Sequence, residues 1–184
     1  MAYFASYQTG EDNAINTDGN VYLGQSFIAA FTGTATSIGA KVYATGDGRP
    51  QTQLYLAGSD GKPTGSLIYE FSKDLGNAGS PSYWIIDTGI AVEGIVLTRG
   101  TKYVLVMFDQ GDGSSNWSVD TSSPTYTSGN RLHSTNAGSS WTLYTGQDFL
   151  FYVDGNKDYT AINEVVTYRR LVSVGNSKVY YEDI

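Results

Sequence analysis

Apolar and polar residues alternate with a period of two along most of the chain. From Val21 to Phe31 every second residue is apolar except Gln25, and Ile38, Ala40 and Val42 share one face of the next segment. Further short segments are centred on Leu54–Leu56, Leu67–Phe71, Tyr83–Ile86, Tyr103–Phe108, Trp117–Val119, Arg131–His133 and Phe149–Val153. Turn residues separate them at roughly the 8–12-residue spacing of an all-β sandwich or barrel. No segment sustains a helical period.

The pattern predicts an antiparallel β-sandwich with almost no helix. Each strand carries one apolar face, and two sheets packed about 10 Å apart bury both sets of faces at once. The predicted core consists of Phe27, Ile38, Val42, Leu54, Leu67, Phe71, Ile86, Leu105, Phe151 and Val153.

Changes in composition predict three parts of the chain. Residues 1–19 are polar and acidic towards Gly19 and are expected to form an N-terminal arm. Residues 20–155 form the sandwich, which the polar segment from Asp154 to Tyr159 ends. Residues 156–184 are expected to be a linker followed by a β-hairpin.

The C-terminal hairpin is predicted to have Gly175-Asn176 as a two-residue turn. This register places Val172 opposite Val179 and Arg169 opposite Glu182. An isolated hairpin is marginally stable, so it either docks on another chain or folds back on its own sandwich. The predicted assembly residues are Arg169, Arg170, Leu171, Val172, Val179, Tyr180, Tyr181 and Glu182.

Composition excludes several classes of function. The 184 residues include no Cys and one His, which excludes thiol chemistry and zinc ribbons. A net charge of -7 argues against binding to nucleic acid. No apolar run is as long as a membrane span, and the first residues have no features of a signal peptide, so we expect synthesis in a cytoplasm. The 22 Gly and 15 Tyr suit strands and turns.

No motif for catalysis is present. The one histidine, His133, lies on a predicted strand, and the chain has no Gly-x-Ser-x-Gly elbow. The acidic residues are not spaced in a way that selects a glycosidase pair. We therefore predict no enzyme activity and no cofactor. Asp109, Asp112 and Asp120 surround a glycine-rich loop that is either a calcium site or an ordinary acidic loop.

The aromatic residues give the best indication of function. Trp117, Tyr126 and Trp141 lie among Ser, Asn, Gly and Asp. An aromatic ring covers the apolar face of a sugar, while amides and hydroxyls bind its edge. Large aromatic residues more often pack inside a sandwich or cap its ends, and this is the favoured interpretation of each. If the chain has a ligand site, Trp117, Tyr126 and Trp141 are the residues predicted to form it.

Several short motifs together resemble the jelly-roll "choice-of-anchor" type of β-sandwich, which is similar to carbohydrate-binding modules. These motifs are Gln25–Phe27, Ser37–Tyr43, Asp60–Leu67, Leu97–Val106, Trp117, Ser139–Trp141 and Asp148–Gly155. The resemblance covers residues 20–155 and implies a jelly-roll fold. Such domains occur in bacterial surface proteins and in phage structural proteins.

Two functions follow as expectations. The first is a phage virion structural protein, such as a head-decoration, neck or tail component, that is made in the host cytoplasm without a signal peptide. Its partners would be itself and other virion proteins, with a host surface glycan as an added ligand. The alternative is a carbohydrate-binding or adhesion module of a secreted bacterial protein.

Overall fold

The structure, a computed structural model, describes residues 2–75, 83–87, 89–111, 113–158, 169–175 and 178–183. In these ranges the chain forms sixteen strands and one helical turn: β1 (Ala2–Tyr7), β2 (Asn13–Asn16), β3 (Tyr22–Ile28), β4 (Gly33–Thr45), β5 (Pro50–Ala57), β6 (Pro63–Ser72), β7 (Tyr83–Asp87), α1 (Ile90–Glu93), β8 (Val96–Leu97), β9 (Lys102–Asp109), β10 (Ser114–Asp120), β11 (Arg131–Ser134), β12 (Thr142–Tyr144), β13 (Asp148–Phe149), β14 (Phe151–Lys157), β15 (Arg169–Gly175) and β16 (Lys178–Asp183). Helix α1 has four residues, and no helix in the described ranges is suited to crossing a membrane.

Strands β1 to β14 form two antiparallel sheets that pack face to face. The six-stranded sheet has the order β12-β11-β3-β9-β5-β6. The eight-stranded sheet contains the path β1-β14-β4-β10-β13, with β2 paired to β10 and with β7 and β8 paired to β4. The predicted all-β antiparallel sandwich is confirmed.

The core lies between the sheets and is built from one face of each. Because side chains alternate along the strands, seven of the predicted core residues point between the sheets and have almost no exposed surface. These residues are Phe27, Ile38, Val42, Leu54, Leu105, Phe151 and Val153. Phe27 packs between Tyr103 and Phe151, with ring centroids 5.6 and 5.8 Å away. The period-two pattern therefore identified the inward faces of β3, β4, β9 and β14.

Two predicted core residues face outward instead. Leu67 is 47% exposed and Ile86 is 52% exposed. Leu67 lies on edge strand β6, where the register against β5 shifts twice, and it pairs with the outward residue Tyr55. On β7 the inward residue is Ile85, so its neighbour Ile86 points away. Phe71 packs against the core but stays partly exposed.

The N-terminal segment belongs to the sandwich, so the prediction of an arm over residues 1–19 is wrong. Strand β1 pairs with β14, from Ala2 opposite Gly155 to Tyr7 opposite Phe151. Strand β2 pairs with β10. Phe4 is fully buried and stacks on Phe31, with ring centroids 4.1 Å apart. The short apolar run at the start of the chain supplies this edge of the core.

The C-terminal hairpin forms a two-stranded sheet of its own, with a register that differs from the predicted one. Gly175 pairs with Lys178 and Val174 pairs with Val179, while the two residues between the strands lie outside the described ranges. Because Gly175 ends β15 and pairs with Lys178 instead of forming the predicted Gly175-Asn176 turn, the predicted Val172–Val179 and Arg169–Glu182 pairs are wrong. An irregularity between Leu171 and Ser173 shifts the register once more. In the observed register Arg170 pairs with Glu182 and Arg169 with Asp183, so each arginine position still pairs with an acidic position.

Candidate functional site

The three aromatic residues predicted to form one ligand site do not lie together. Trp117 is 0% exposed, and its Nε1 donates a hydrogen bond to the Leu150 carbonyl at 2.9 Å. Its ring stacks on Phe149 with centroids 4.4 Å apart. The polar neighbours of Trp117 lie within strand β10 and not in a loop, so the indole faces the core. Trp117 is therefore a core residue that no ligand can reach.

Tyr126 also packs on the core side of the sandwich. Its ring meets Phe151 edge-on at 5.5 Å and lies 6.3 Å from Tyr7. Burial raises the pKa of the Tyr126 hydroxyl, and the nearby carboxylate of Asp148 adds to the effect. Tyr126 and Trp117 are thus both separated from Trp141.

Trp141 lines a groove on the outer face of the six-stranded sheet. The groove has a volume of about 150 Å³ and lies between the start of β6 and the loop that joins β11 to β12. Tyr22, Tyr55, Pro63, Gly65, Val106, Ala137, Gly138 and Trp141 line it. The Trp141 ring passes over Gly24, where a Cβ would lie 3.4 Å from the indole. The same Cβ would lie 3.2 Å from the Leu132 Cβ, a tighter contact than the one with the ring.

A second apolar cluster forms the floor of this groove. Val104, Val106, Phe108 and Leu132 are buried on the outer side of the sheet, under Tyr22, Tyr55, Trp141 and Leu143. The sequence signal for this cluster is the unbroken apolar run from Tyr103 to Phe108 in β9, because a strand buried on one face alternates with polar residues. A prediction that gives each strand one buried face does not identify Tyr22 and Tyr55, which cover the second face of β9.

Two tyrosines are fixed in position within the groove. The Tyr22 ring stacks on Phe108 with centroids 4.2 Å apart and an angle of 4° between the planes. The Tyr55 hydroxyl donates a hydrogen bond to Gln53 Oε1 at 2.6 Å. Burial raises the pKa of Tyr55, and the charges of Glu70 and Tyr22 raise it further. Both rings are thereby held in place before any ligand binds.

Hydrogen bonds hold the loop that forms one rim. Asn136 Oδ1 accepts from the Ser140 amide at 2.9 Å, and Ser134 Oγ accepts from the Gly138 amide at 2.9 Å. Ala137 has φ 52°, and it is the one non-glycine residue in the described ranges with a positive φ. This conformation costs an alanine about 1–2 kcal/mol, so the rim is strained as well as bonded.

A pair of acidic residues lies inside the sandwich. Asp120 and Asp148 are neighbours on β10 and β13 and are 3% and 2% exposed. Burial raises the pKa of Asp148 to about 7. A hydrogen bond from Gln25 opposes this rise, and the negative charge of Asp120 adds to it. Burial also acts to raise the pKa of Asp120. The hydrogen bonds that Asp120 accepts outweigh burial, so its pKa is lowered; the largest of these contributions is the bond from the Tyr7 hydroxyl at 2.5 Å. Neither carboxylate is accessible to a substrate, so the pair affects stability.

The aspartates considered as a calcium site lie far apart. Asp109 precedes β10 and Asp120 ends it, and a seven-residue strand spans about 20 Å. Asp109 accepts hydrogen bonds from the amides of Arg49 and Gly111, so its oxygens cap a turn. Asp112 lies outside the described ranges, within which no three potential ligands cluster. The stretch from Asp109 to Asp120 is therefore not one loop, because it contains the whole of strand β10.

The structure also shows on which strands His133 and the predicted assembly residues lie. His133 lies on β11, half-buried, and burial together with the nearby Arg131 charge lowers its pKa. The eight assembly residues all lie on β15 and β16.

The sequence matches no protein-family model and no curated protein. The resemblance to jelly-roll domains therefore stays a prediction. The aromatic groove is supported by its geometry: partly exposed rings, an apolar floor and a hydrogen-bonded rim.

Proposed function

We propose that the chain is a non-catalytic binding protein whose aromatic groove binds a saccharide. The observation that carries this proposal is the convergence of Tyr22, Tyr55 and Trp141 on one fixed groove. Sugars present apolar C–H faces and polar edges, and such a ligand fits rings set beside hydroxyl and amide groups.

The hydrogen-bonded loop at the rim favours a role of the groove in ligand binding over a role in packing alone. A strained Ala137 persists only where its surroundings over-determine it, and such residues cluster at functional sites. Because the rings and the loop are ordered beforehand, a ligand loses little of its binding energy to ordering them. The groove therefore suits recognition without a large conformational change.

Replacing Trp141 with alanine is expected to weaken saccharide binding about ten-fold or more. The substitution removes the largest ring that lines the groove, and with it much of the contact area open to a ligand. Affinity electrophoresis in gels containing dextran, mannan, galactan or β-glucan measures the change.

Trp84→Ala is the matched control. Trp84 is also half-buried, but it lies on the eight-stranded sheet, where its ring is 5.4 Å from Tyr152. Equal loss of binding in both variants, with both folded, would contradict the proposed groove.

We propose a second function for the hairpin, namely assembly, and we propose that the saccharide-binding groove acts within that assembly. A virion structural protein, assembling with itself and with other virion proteins, would use β15 and β16 to contact a neighbour. Two observations support this: the hairpin pairs with no strand of the sandwich in the described residues, and a lone hairpin is marginally stable. The groove would then bind a host surface glycan. The secreted bacterial binding module is the alternative setting.

Deleting residues 159–184 is expected to leave a folded sandwich that no longer assembles. The sandwich is complete at this point, because β14 ends at Lys157 and the Asp158 amide bonds to the Thr32 carbonyl at 2.9 Å. Light scattering with the full chain as reference measures assembly, and circular dichroism measures folding. A folded truncation that assembles like the full chain would exclude the hairpin from assembly.

A further inference from the structure

A chain of hydrogen bonds runs across the outer face of β5 and ends in the groove. The Glu70 network, as we name it, consists of Glu70, Gln51, Gln53, Gln110 and Tyr55. Glu70 Oε2 accepts from Gln51 Nε2 at 2.8 Å and from Gln53 Nε2 at 3.1 Å. Gln110 donates to Gln51, and Tyr55 donates to Gln53 at 2.6 Å.

The carboxylate fixes the direction of every bond in this network. An ionised carboxylate only accepts hydrogen bonds, so the Gln53 amide nitrogen has to face Glu70. The Gln53 oxygen then faces the other way and takes the hydrogen of the Tyr55 hydroxyl. Tyr55 is left with oxygen lone pairs, and it can accept a hydrogen bond from a ligand but has none to donate.

The network also carries a negative charge close to the groove. The ion pairs found among the described residues join Lys41 to Glu11, Arg49 to Asp74 and Lys62 to Asp60, and none of them includes Glu70. One amide separates the carboxylate from the Tyr55 hydroxyl, which places the two within about one Debye length, about 8 Å at physiological salt. An anionic ligand at Tyr55 would meet both this charge and the oxygen lone pairs.

We propose that Glu70 is the positioning residue that sets ligand specificity: through Gln53 it makes Tyr55 a hydrogen-bond acceptor, so the groove takes a neutral, hydroxyl-bearing saccharide and rejects an acidic one. This inference rests on the proposed saccharide function. The raised pKa of Tyr55 agrees with it, because Glu70 is, after burial, the next contribution to that shift.

The test is Glu70→Gln in the full chain. Glutamine keeps an oxygen that accepts from Gln51 and Gln53 but removes the charge. Each neutral polysaccharide with free C6 hydroxyls, namely mannan, galactan and β-glucan, is compared with its C6-oxidised, uronic-acid form. The wild-type protein is expected to prefer the neutral form, and the variant to gain roughly three- to ten-fold in binding the oxidised form, with neutral binding within two-fold.

A second measurement needs no saccharide. In ¹³C NMR titration of the tyrosine ring carbons, Glu70→Gln is expected to lower the pKa of Tyr55, because burial remains but the negative charge is gone. Glu93→Gln is the matched control, since Glu93 is an exposed acid on α1, which packs on the other sheet.

Two outcomes overturn the inference and can be told apart from failure of the proposed function. An unchanged preference for neutral over oxidised polysaccharide in Glu70→Gln overturns it, and so does an unchanged Tyr55 pKa. A wild-type protein that binds none of the neutral polysaccharides overturns the proposed function and this inference with it, whatever the NMR titration shows.

Discussion

Replacing Trp117 with alanine is expected to destabilise the sandwich by about 3–5 kcal/mol. The indole is completely buried, stacks on Phe149 and donates a hydrogen bond to the Leu150 carbonyl. Its removal leaves a large cavity and takes one of two hydrogen bonds from the Leu150 carbonyl, which keeps the one from the Lys41 amide at 3.2 Å. Removing a large buried aromatic side chain is among the most damaging substitutions in protein cores. Urea-induced unfolding followed by tyrosine fluorescence measures the loss.

Trp141→Ala serves as the control for this experiment. Trp141 lies on the outer face and is partly exposed, so its loss is expected to lower the free energy of unfolding by about 1 kcal/mol. The two variants thus separate stability from binding. A stable Trp117→Ala protein that has lost saccharide binding would contradict the placement of Trp117 in the core.

Replacing Asp148 with asparagine is expected to stabilise the protein at pH 8 by about 2 kcal/mol and to change little at pH 4. Burial raises the pKa of Asp148 from 3.8 to about 7 in the folded protein. The folded state therefore holds this proton more tightly than the unfolded state. The stability it contributes is fully present below pH 3.8 and is lost as the pH rises through 7. The full shift is equivalent to roughly 4 kcal/mol, and local relaxation reduces it.

Asparagine keeps the oxygen that accepts from Gln25 at 2.8 Å, so the variant removes the ionisation with little change in shape. Unfolding by urea at pH 4, 6 and 8 measures the difference between variant and wild type. Asp18→Asn, at an exposed position, is the control. A difference between Asp148→Asn and wild type that does not change with pH would contradict burial as the cause of the raised pKa.

The fold was largely predictable from the sequence because a period of two specifies which face of a strand is buried. Phe27, Ile38 and Leu105 follow this rule directly. Leu67 departs from it because bulges shift the register of β6 against β5. Ile86 departs from it because it follows another isoleucine, Ile85, and of two adjacent apolar residues only one can face inward. The hairpin register differs from the predicted one because Gly175 is a paired strand residue opposite Lys178 and not the first residue of the turn.

The candidate site was less predictable because it depends on which strands become neighbours. Tyr22 and Tyr55 are 33 positions apart, and they share a groove because β3 and β5 both pair with β9. Among the predicted ligand residues only Trp141 lies there. Local composition marked Trp117 equally well, since a polar neighbourhood in sequence does not distinguish a loop from a strand whose other face is buried.

Pairing of β1 with β14 has a consequence for how the protein folds during synthesis. Ala2 meets Gly155, so the partner of the first strand leaves the ribosome only after about 150 more residues, or roughly 10–30 s of translation. Until then Phe4 has no core to enter. Contacts of such long sequence separation also slow folding, because the chain has to close a large loop before they form. We infer that the edge of β14 closes late, and that a ribosome-bound chain exposes this apolar edge to chaperones.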